Sequence, residues 1–305
     1  MNESLQPFET QCEALAERLK LKEQWESQVQ FLNEVGILEL LPESQELGIV
    51  GIDGREYPVP EYSEIMQKIT PEKAEILERK SEQGFNKMLL VPFAIPLERL
   101  IDRYERELVK QSENGGVINS NGEKIEINPK NPITFMDNEF KSSDLTKKLA
   151  YYPTHPDYGG ETKSEIISKD SPWKFHFVED LDHIPQQEEG QTIGGRKQLE
   201  TGMSPRQYLL QVQRNAMYSN EQGMTPEDWL CNAILNLRNN GKQIDSAGRN
   251  GQTCYLIGSG YQYGPSGEEI ASAGWGRIKS DSAFLGADFN SESQQNFGVR
   301  TVVEI

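Results

Sequence analysis

From about Pro7 to Val35, apolar side chains recur at three- and four-residue steps among charged neighbours: Cys12, Leu15 and Leu19, then Trp25, Val29 and Leu32. That period places them on one stripe of an amphipathic helix. The stripe is interrupted at Lys22, where Leu21 covers only part of the gap. Few heptads follow one another and no matched charge pattern flanks them, so the helix is expected to pack on its own domain rather than in a coiled coil. A second stripe after Pro96, made of Leu97, Leu100, Ile101, Tyr104 and Leu108, predicts a core-facing helix. Three more helices are predicted from their first residues. Thr70-Pro71-Glu72, Ser204-Pro205-Arg206 and Thr225-Pro226-Glu227 each set a hydroxyl N-cap before a proline, and a proline there loses no needed hydrogen bond and presets φ. Asp228 completes a capping-box pattern with Thr225.

Period-two patterns and turn residues mark the strands. Gly48 to Gly54 leads into Tyr57-Pro58-Val59-Pro60, which reads as a short strand or hairpin bounded by turn residues. Its glycines do not form a phosphate loop, because no Lys-Ser/Thr pair opens a helix after them. Asn-Gly turns at 114–116 and 121–122 around Lys124-Ile125-Glu126-Ile127 predict a second hairpin. Trp173 to Val178 alternates as a strand, helices are expected at about 205–218 and 226–239, and Thr253 to Ile257, Ala283 to Leu285 and Gly298 to Ile305 are the closing strands. Eleven of the 26 glycines lie after residue 240, so the last part is loop-rich sheet. The polar run Lys141 to Lys169, with Pro153, Pro156 and Gly159-Gly160, places a boundary near residue 165. The expected fold class is α+β: a helical N-terminal part, 1–165, followed by an α+β domain with an antiparallel sheet, 166–305.

Composition narrows the function. With 48 acidic and 31 basic residues the formal charge is −17, which repels phosphate backbones and anionic lipid and argues against nucleic acid as a partner. No apolar run is long enough to cross a bilayer, and Met1-Asn2-Glu3-Ser4 has neither region of a signal peptide. Cys12, Cys231 and Cys254 are odd in number and form no CxxC pair, which fits reduced thiols and a cytoplasmic chain. The stretch from Gly258 to Asn296 is rich in Gly, Ser, Tyr, Asn, Asp and Gln, the residue types that paratopes use for adaptable contacts on a rigid frame.

The tail carries a resemblance. Trp275-Gly276-Arg277, Ala283-Phe284-Leu285-Gly286 and Gly298-Val299-Arg300-Thr301-Val302-Val303, with Val178-Glu179-Asp180-Leu181 to Ile184-Pro185 and the run Thr192 to Glu200, resemble the formylglycine-generating-enzyme-like branch of the C-type-lectin fold. The same ending occurs in variable proteins of diversity-generating retroelements and in related candidate-phylum bacterial proteins. The similarity covers roughly residues 170–305. It implies a scaffold whose last strand returns beside its first, with Gly298, Val299 and Arg300 as frame. The ligand-binding surface it implies comprises Ser280, Asp281, Ser282, Asp288, Asn290, Ser291, Ser293, Gln294 and Asn296, with Tyr261 and Tyr263 as aromatic anchors. The implied ligand is a protein or a carbohydrate. No cofactor is implied, and the tail lacks the clustered carboxylates that calcium requires.

Two rival sites compete with display. His176, Glu179, Asp180, Asp182 and His183 crowd into eight residues and carry groups that bind zinc or iron. On the predicted strand, however, His176 points away from Glu179, and a surface strand running into a solvated acidic turn is the expected arrangement. An oxidase of the formylglycine-generating type needs a pair of cysteines near the closing sheet. Cys254 falls on a predicted strand but Cys231 falls inside a helix, so buried thiols are expected. The sequence therefore favours a non-catalytic ligand-binding protein. A metal-dependent or thiol enzyme is the alternative, and a scaffold using the first helix is a third reading.

Overall fold

The computed structural model describes residues 6–135, 149–154, 159–169, 171–246, 251–261, 269–276, 282–289 and 291–305. The first part of the chain forms α1 (Gln6–Arg18), α2 (Leu21–Glu34), a small antiparallel sheet of β1 (Glu39–Leu40), β2 (Leu47–Val50) and β3 (Glu56–Pro58), then α3 (Tyr62–Lys68), α4 (Pro71–Glu82), β4 (Phe85–Val91) and α5 (Leu97–Glu113). The middle supplies β5 (Val117–Ile118), β6 (Lys124–Ile125), β7 (Ile133–Phe135), β8 (Leu149–Tyr151) and α6 (Lys163–Lys169). The remainder runs through β9 (Lys174–Glu179), β10 (Thr192–Ile193), β11 (Arg196–Lys197), α7 (Pro205–Arg214), β12 (Gln222–Gly223), α8 (Pro226–Asn240), β13 (Thr253–Tyr255) and β14 (Ser259–Tyr261). It ends with β15 (Glu269–Gly276), β16 (Ser282–Phe289), β17 (Phe297–Val299) and β18 (Thr301–Glu304). The class is mixed α+β with a helical N-terminal part.

The three proline-marked helix starts form as their chemistry dictates. Thr70, Ser204 and Thr225 each accept the N3 amide, from Lys73, Gln207 and Asp228. The Thr225–Asp228 capping box is closed in both directions. The first helix differs from expectation. It is two helices, because Lys20 takes a left-handed conformation, φ 51°, and ends α1 two residues before the sequence stripe falters. Both helices pack on their own domain, α1 against α2 and α4, and α2 against β4.

Two larger sheets dominate the rest, beside the two-stranded pairs β5-β6, β8-β14 and β10-β11. In the four-stranded sheet, ordered β12-β18-β9-β4, every pairing is antiparallel. Val302, Val303 and Glu304 of β18 lie opposite Val178, Phe177 and His176 of β9, so the last strand does return beside the strand begun at Trp173. The five-stranded sheet, β17-β13-β15-β16-β7, is mixed rather than antiparallel: β17 runs parallel to β13, and β7 parallel to β16. Arg300 is the corner where the chain leaves one sheet for the other. Gly251, with φ +68°, lets β13 start close to β15, since a Cβ there would lie 1.7 Å from the Trp275 carbonyl oxygen.

Helix α8 packs on β4, β15 and α5, and every residue from Pro226 to Leu237 is buried, as for a helix covered on all sides. Its first turn is fastened to the middle of the chain. Glu227 accepts from Lys163 Nζ and from the Tyr151 hydroxyl, both at 2.8 Å. Strands β4 and β7 come from before residue 165, yet they complete the two sheets. One apolar core runs from Leu32 and Leu90 through Trp229 to Ala273 and Val302. A boundary near 165 therefore cuts through shared sheets and does not separate two cores.

The free edge of β4 is occupied by α2. Gln24 Oε1 accepts the Met88 amide at 2.7 Å and Gln28 Oε1 the Leu90 amide at 3.4 Å. No helix among the described residues is long and apolar enough to cross a membrane.

Candidate functional site

The expected ligand-binding residues are distributed by one hairpin. In β15–β16, Gly276 pairs with Ser282 at the turn end and Glu269 with Phe289 at the other. Seven residue steps at about 3.4 Å each put those ends roughly 24 Å apart. Ser282, at the turn end, is buried and shares a 2.7 Å hydrogen bond with the Thr134 hydroxyl. It belongs to the frame and not to a display face, because a serine held between two strands has no surface to offer. Tyr263, Ser280, Asp281 and Asn290 lie outside the described residues. Tyr261 closes β14, its backbone opposite Leu149.

The remaining members gather at the far end, in the loop between β16 and β17. Ser291 and Ser293 are exposed, as are Glu292 and Gln295, which the sequence reading did not single out. Gln294 and Asn296 are half-buried and anchor the loop. The Gln294 carbonyl accepts the Phe297 amide at 3.1 Å, Asn296 Nδ2 donates to the Gly251 carbonyl at 3.1 Å, and the Asn296 carbonyl accepts the Thr253 amide. Exposed side chains thus give way within six residues to the half-buried Gln294 and Asn296, of which Asn296 anchors through its side chain. The anchors could have been suspected from position, since Asn296 directly precedes the strand.

Beneath the loop lies a second, smaller apolar cluster containing Tyr208, Tyr255, Ile270, Phe297 and Val299. The Tyr255 ring sits 5.3 Å from that of Phe297 and 6.4 Å from that of Tyr208. The Tyr255 hydroxyl donates to the Glu292 carbonyl at 3.3 Å, tying loop to floor. Asp288 stands opposite Ile270 at the hairpin end. Burial pushes its carboxyl above the usual range, the Ser272 hydroxyl beside it works against the rise, and the nearby Glu292 charge adds to it.

The frame behind this end is built from buried charges. Arg300 binds Asp245 with its Nη2 2.8 Å from Oδ1 and its Nε 3.1 Å from Oδ2, while Trp229 Nε1 donates to the same carboxylate at 3.0 Å. Gly298, Val299 and Arg300 are all buried. A second cluster centres on Glu221, which accepts from Arg196 at 2.7 and 2.8 Å, from Lys80 at 2.6 Å and from the Thr301 hydroxyl at 2.6 Å. Burial works to raise the Glu221 carboxyl, but the Arg196 hydrogen bonds and charge, with Lys80, hold it below the usual value. The Arg196 guanidinium also lies over the Phe85 ring at 4.8 Å. A charged residue inside the β-branched run Val299 to Val303 is the one local hint of such pairing.

The rival metal cluster is dispersed. His176 is fully buried, not on a surface strand, and its Nδ1 lies 2.8 Å from Asp228 Oδ1 on α8. Glu179 leaves β9 on the opposite face to meet Arg196 at 3.2 Å. Asp180 pairs with Lys87 and Asp182 with Lys242. Among the described residues no group of three or more His, Cys, Asp or Glu could hold a metal ion. The three cysteines are buried and free, and burial raises each thiol, Cys231 furthest. No protein-family model, curated protein or solved structure matches this chain.

Proposed function

We propose that this chain is a non-catalytic ligand-binding protein whose recognition surface is the end of the five-stranded sheet bearing residues 291–296. The observation that carries the reading is the abrupt change along that segment. Exposed Ser291, Glu292, Ser293 and Gln295 run into Phe297 to Arg300, which are wholly buried. Side chains in such a loop can be exchanged without opening the core, whereas those of the strand cannot. Asp288 adds a function at the floor: a half-buried carboxyl with Ser272 beside it and no cation paired with it among the described residues favours a ligand that brings a further hydrogen-bond donor. The expected partner is a protein or a carbohydrate. The net charge of −17 makes nucleic acid a poor one.

This reading is preferred to thiol chemistry of the formylglycine-generating type because a nucleophilic cysteine needs an accessible thiolate, and Cys231 and Cys254 are fully buried with raised thiols. The test is a display library in which 291, 292, 293 and 295 are randomised, set against a second in which Val299 and Val302 are. The first library should retain folded protein in most members and yield variants with new protein or glycan partners. Equal loss of folded protein from both libraries would overturn the proposal.

A further inference from the structure

On the opposite part of the molecule, where the small β1–β3 sheet and α2 meet the start of β9, lies a groove of about 780 Å³. Its apolar lining comes from Trp25, Tyr57, Pro58, Pro60, Trp173 and Phe175. Trp25 is fixed by its Nε1 bond to the Pro60 carbonyl, 3.1 Å, and by the Tyr62 ring at 6.1 Å. Trp173 is only 2 % exposed, and its indole N–H finds no acceptor among the described residues. Glu46, Glu61 and Glu64 stand on the rim. The hydrogen bonds of Glu61 and Glu64 come from backbone amides and the Ser63 hydroxyl, so neither carboxylate is neutralised by them. The one basic residue of the lining, Lys68, has its ammonium 5.1 Å from the Phe175 ring centre.

We propose that this groove docks an extended, proline-containing segment of a partner protein that also carries arginine or lysine. Each part of the site matches one property of such a segment. Flat prolyl rings pack on Trp and Tyr faces, and a polyproline-type chain has no internal hydrogen bonds and is already extended, so little order is lost when it lies in a groove. The carboxylate rim and the acidic surface as a whole attract a basic segment and repel an acidic one.

The experiment uses the full chain with ¹⁵N-labelled tryptophan and a synthetic proline-rich peptide bearing arginines. The Trp25 and Trp173 indole signals should move on titration while those of Trp229 and Trp275, which lie outside the groove, stay in place. The Glu46→Gln/Glu64→Gln double variant removes two charges and keeps the Glu61 helix cap satisfied. It should weaken binding by about tenfold, as should added salt. Trp25→Phe, at the more exposed of the two indoles, should weaken binding when measured well below the variant's own melting temperature. Equal binding of a peptide with glutamates in place of arginines would overturn the proposal. So would shifts produced by a neutral glucan oligosaccharide and not by the peptide, or concentration-dependent shifts of the protein alone, which would assign the groove to sugar or to a second copy.

Discussion

The two sheets treat a shielded carboxyl in opposite ways. In the four-stranded sheet Glu221 is surrounded by Arg196, Lys80 and the Thr301 hydroxyl, and its carboxyl is held low. At the end of the five-stranded sheet Asp288 has burial and a neighbouring Glu292, and its carboxyl is pushed up. The first arrangement closes every charge inside the protein, as a frame requires. The second leaves a carboxyl that no cation among the described residues pairs with. Stability is concentrated in one region and chemical openness in the other.

The largest test removes the strand common to both halves of the argument. Deleting Phe297 to Ile305 takes β17 and β18 away, and β18 lies between β12 and β9. The loss should exceed the roughly 5–15 kcal/mol that a domain has in reserve. The truncated chain should be insoluble or show no cooperative melt, and a cooperative one would mean that the frame lies elsewhere.

Next in size is the corner. Asp245→Ala leaves Arg300 buried and unpaired and Trp229 Nε1 without its acceptor, a change expected to cost about 3–5 kcal/mol in chemical denaturation.

Acid titration sharpens the contrast between the two carboxyls. The folded Glu221 value lies below the unfolded one, near 4.3, so unfolding takes up a proton in that window. Its stabilisation is fully present above about pH 4.3 and is lost as the pH falls through the folded value. Glu221→Gln should lower stability at neutral pH and flatten the acid limb of the stability curve. For Asp288 the sign reverses. Its folded value is raised, so its contribution is most favourable below about pH 3.9 and is lost as the pH rises through the folded value. Asp288→Asn should raise stability at neutral pH, by less than Glu221→Gln lowers it. Guanidinium melts from pH 3 to 7 read both changes. The smallest effect is expected from Ser291, Glu292, Ser293 and Gln295, where polar exchanges should each stay within about 0.5 kcal/mol.

What could be read in advance was what local chemistry decides. The caps at Thr70, Ser204 and Thr225 are visible because donor and acceptor lie three residues apart, and β9 and β18 are visible as strands because both runs are rich in strand-forming residues, while their pairing follows only from the order of elements. The break at Lys20 carries no such signal, since a lysine in the left-handed region looks like any other. Phe85 to Val91 gave no sign of being a strand, because a short apolar run has no period that tells strand from helix. Strand β15 was hidden for the opposite reason: Ala271-Ser272-Ala273-Gly274 has low strand propensity and is extended only because β13 and β16 flank it. In the candidate site, the polar character of 291–296 was legible, but not the separation of Ser282 from Asp288 and the 291–296 loop, which depends on the β15–β16 register. The charge clusters were beyond reach, as Lys80 and Glu221 are 141 positions apart.

The two glutamines of α2 that accept the Met88 and Leu90 amides have a consequence for life in a crowded solution. An unpaired strand edge is a template on which another chain can add a strand, and repeated addition leads to fibres. Gln24 and Gln28 fill that template from within the molecule, using neutral side chains rather than the charges or prolines that commonly blunt an edge. The guard sits on a different helix and a different sheet from the 291–296 loop. Sequence change at the loop can therefore proceed without loosening the protection against aggregation.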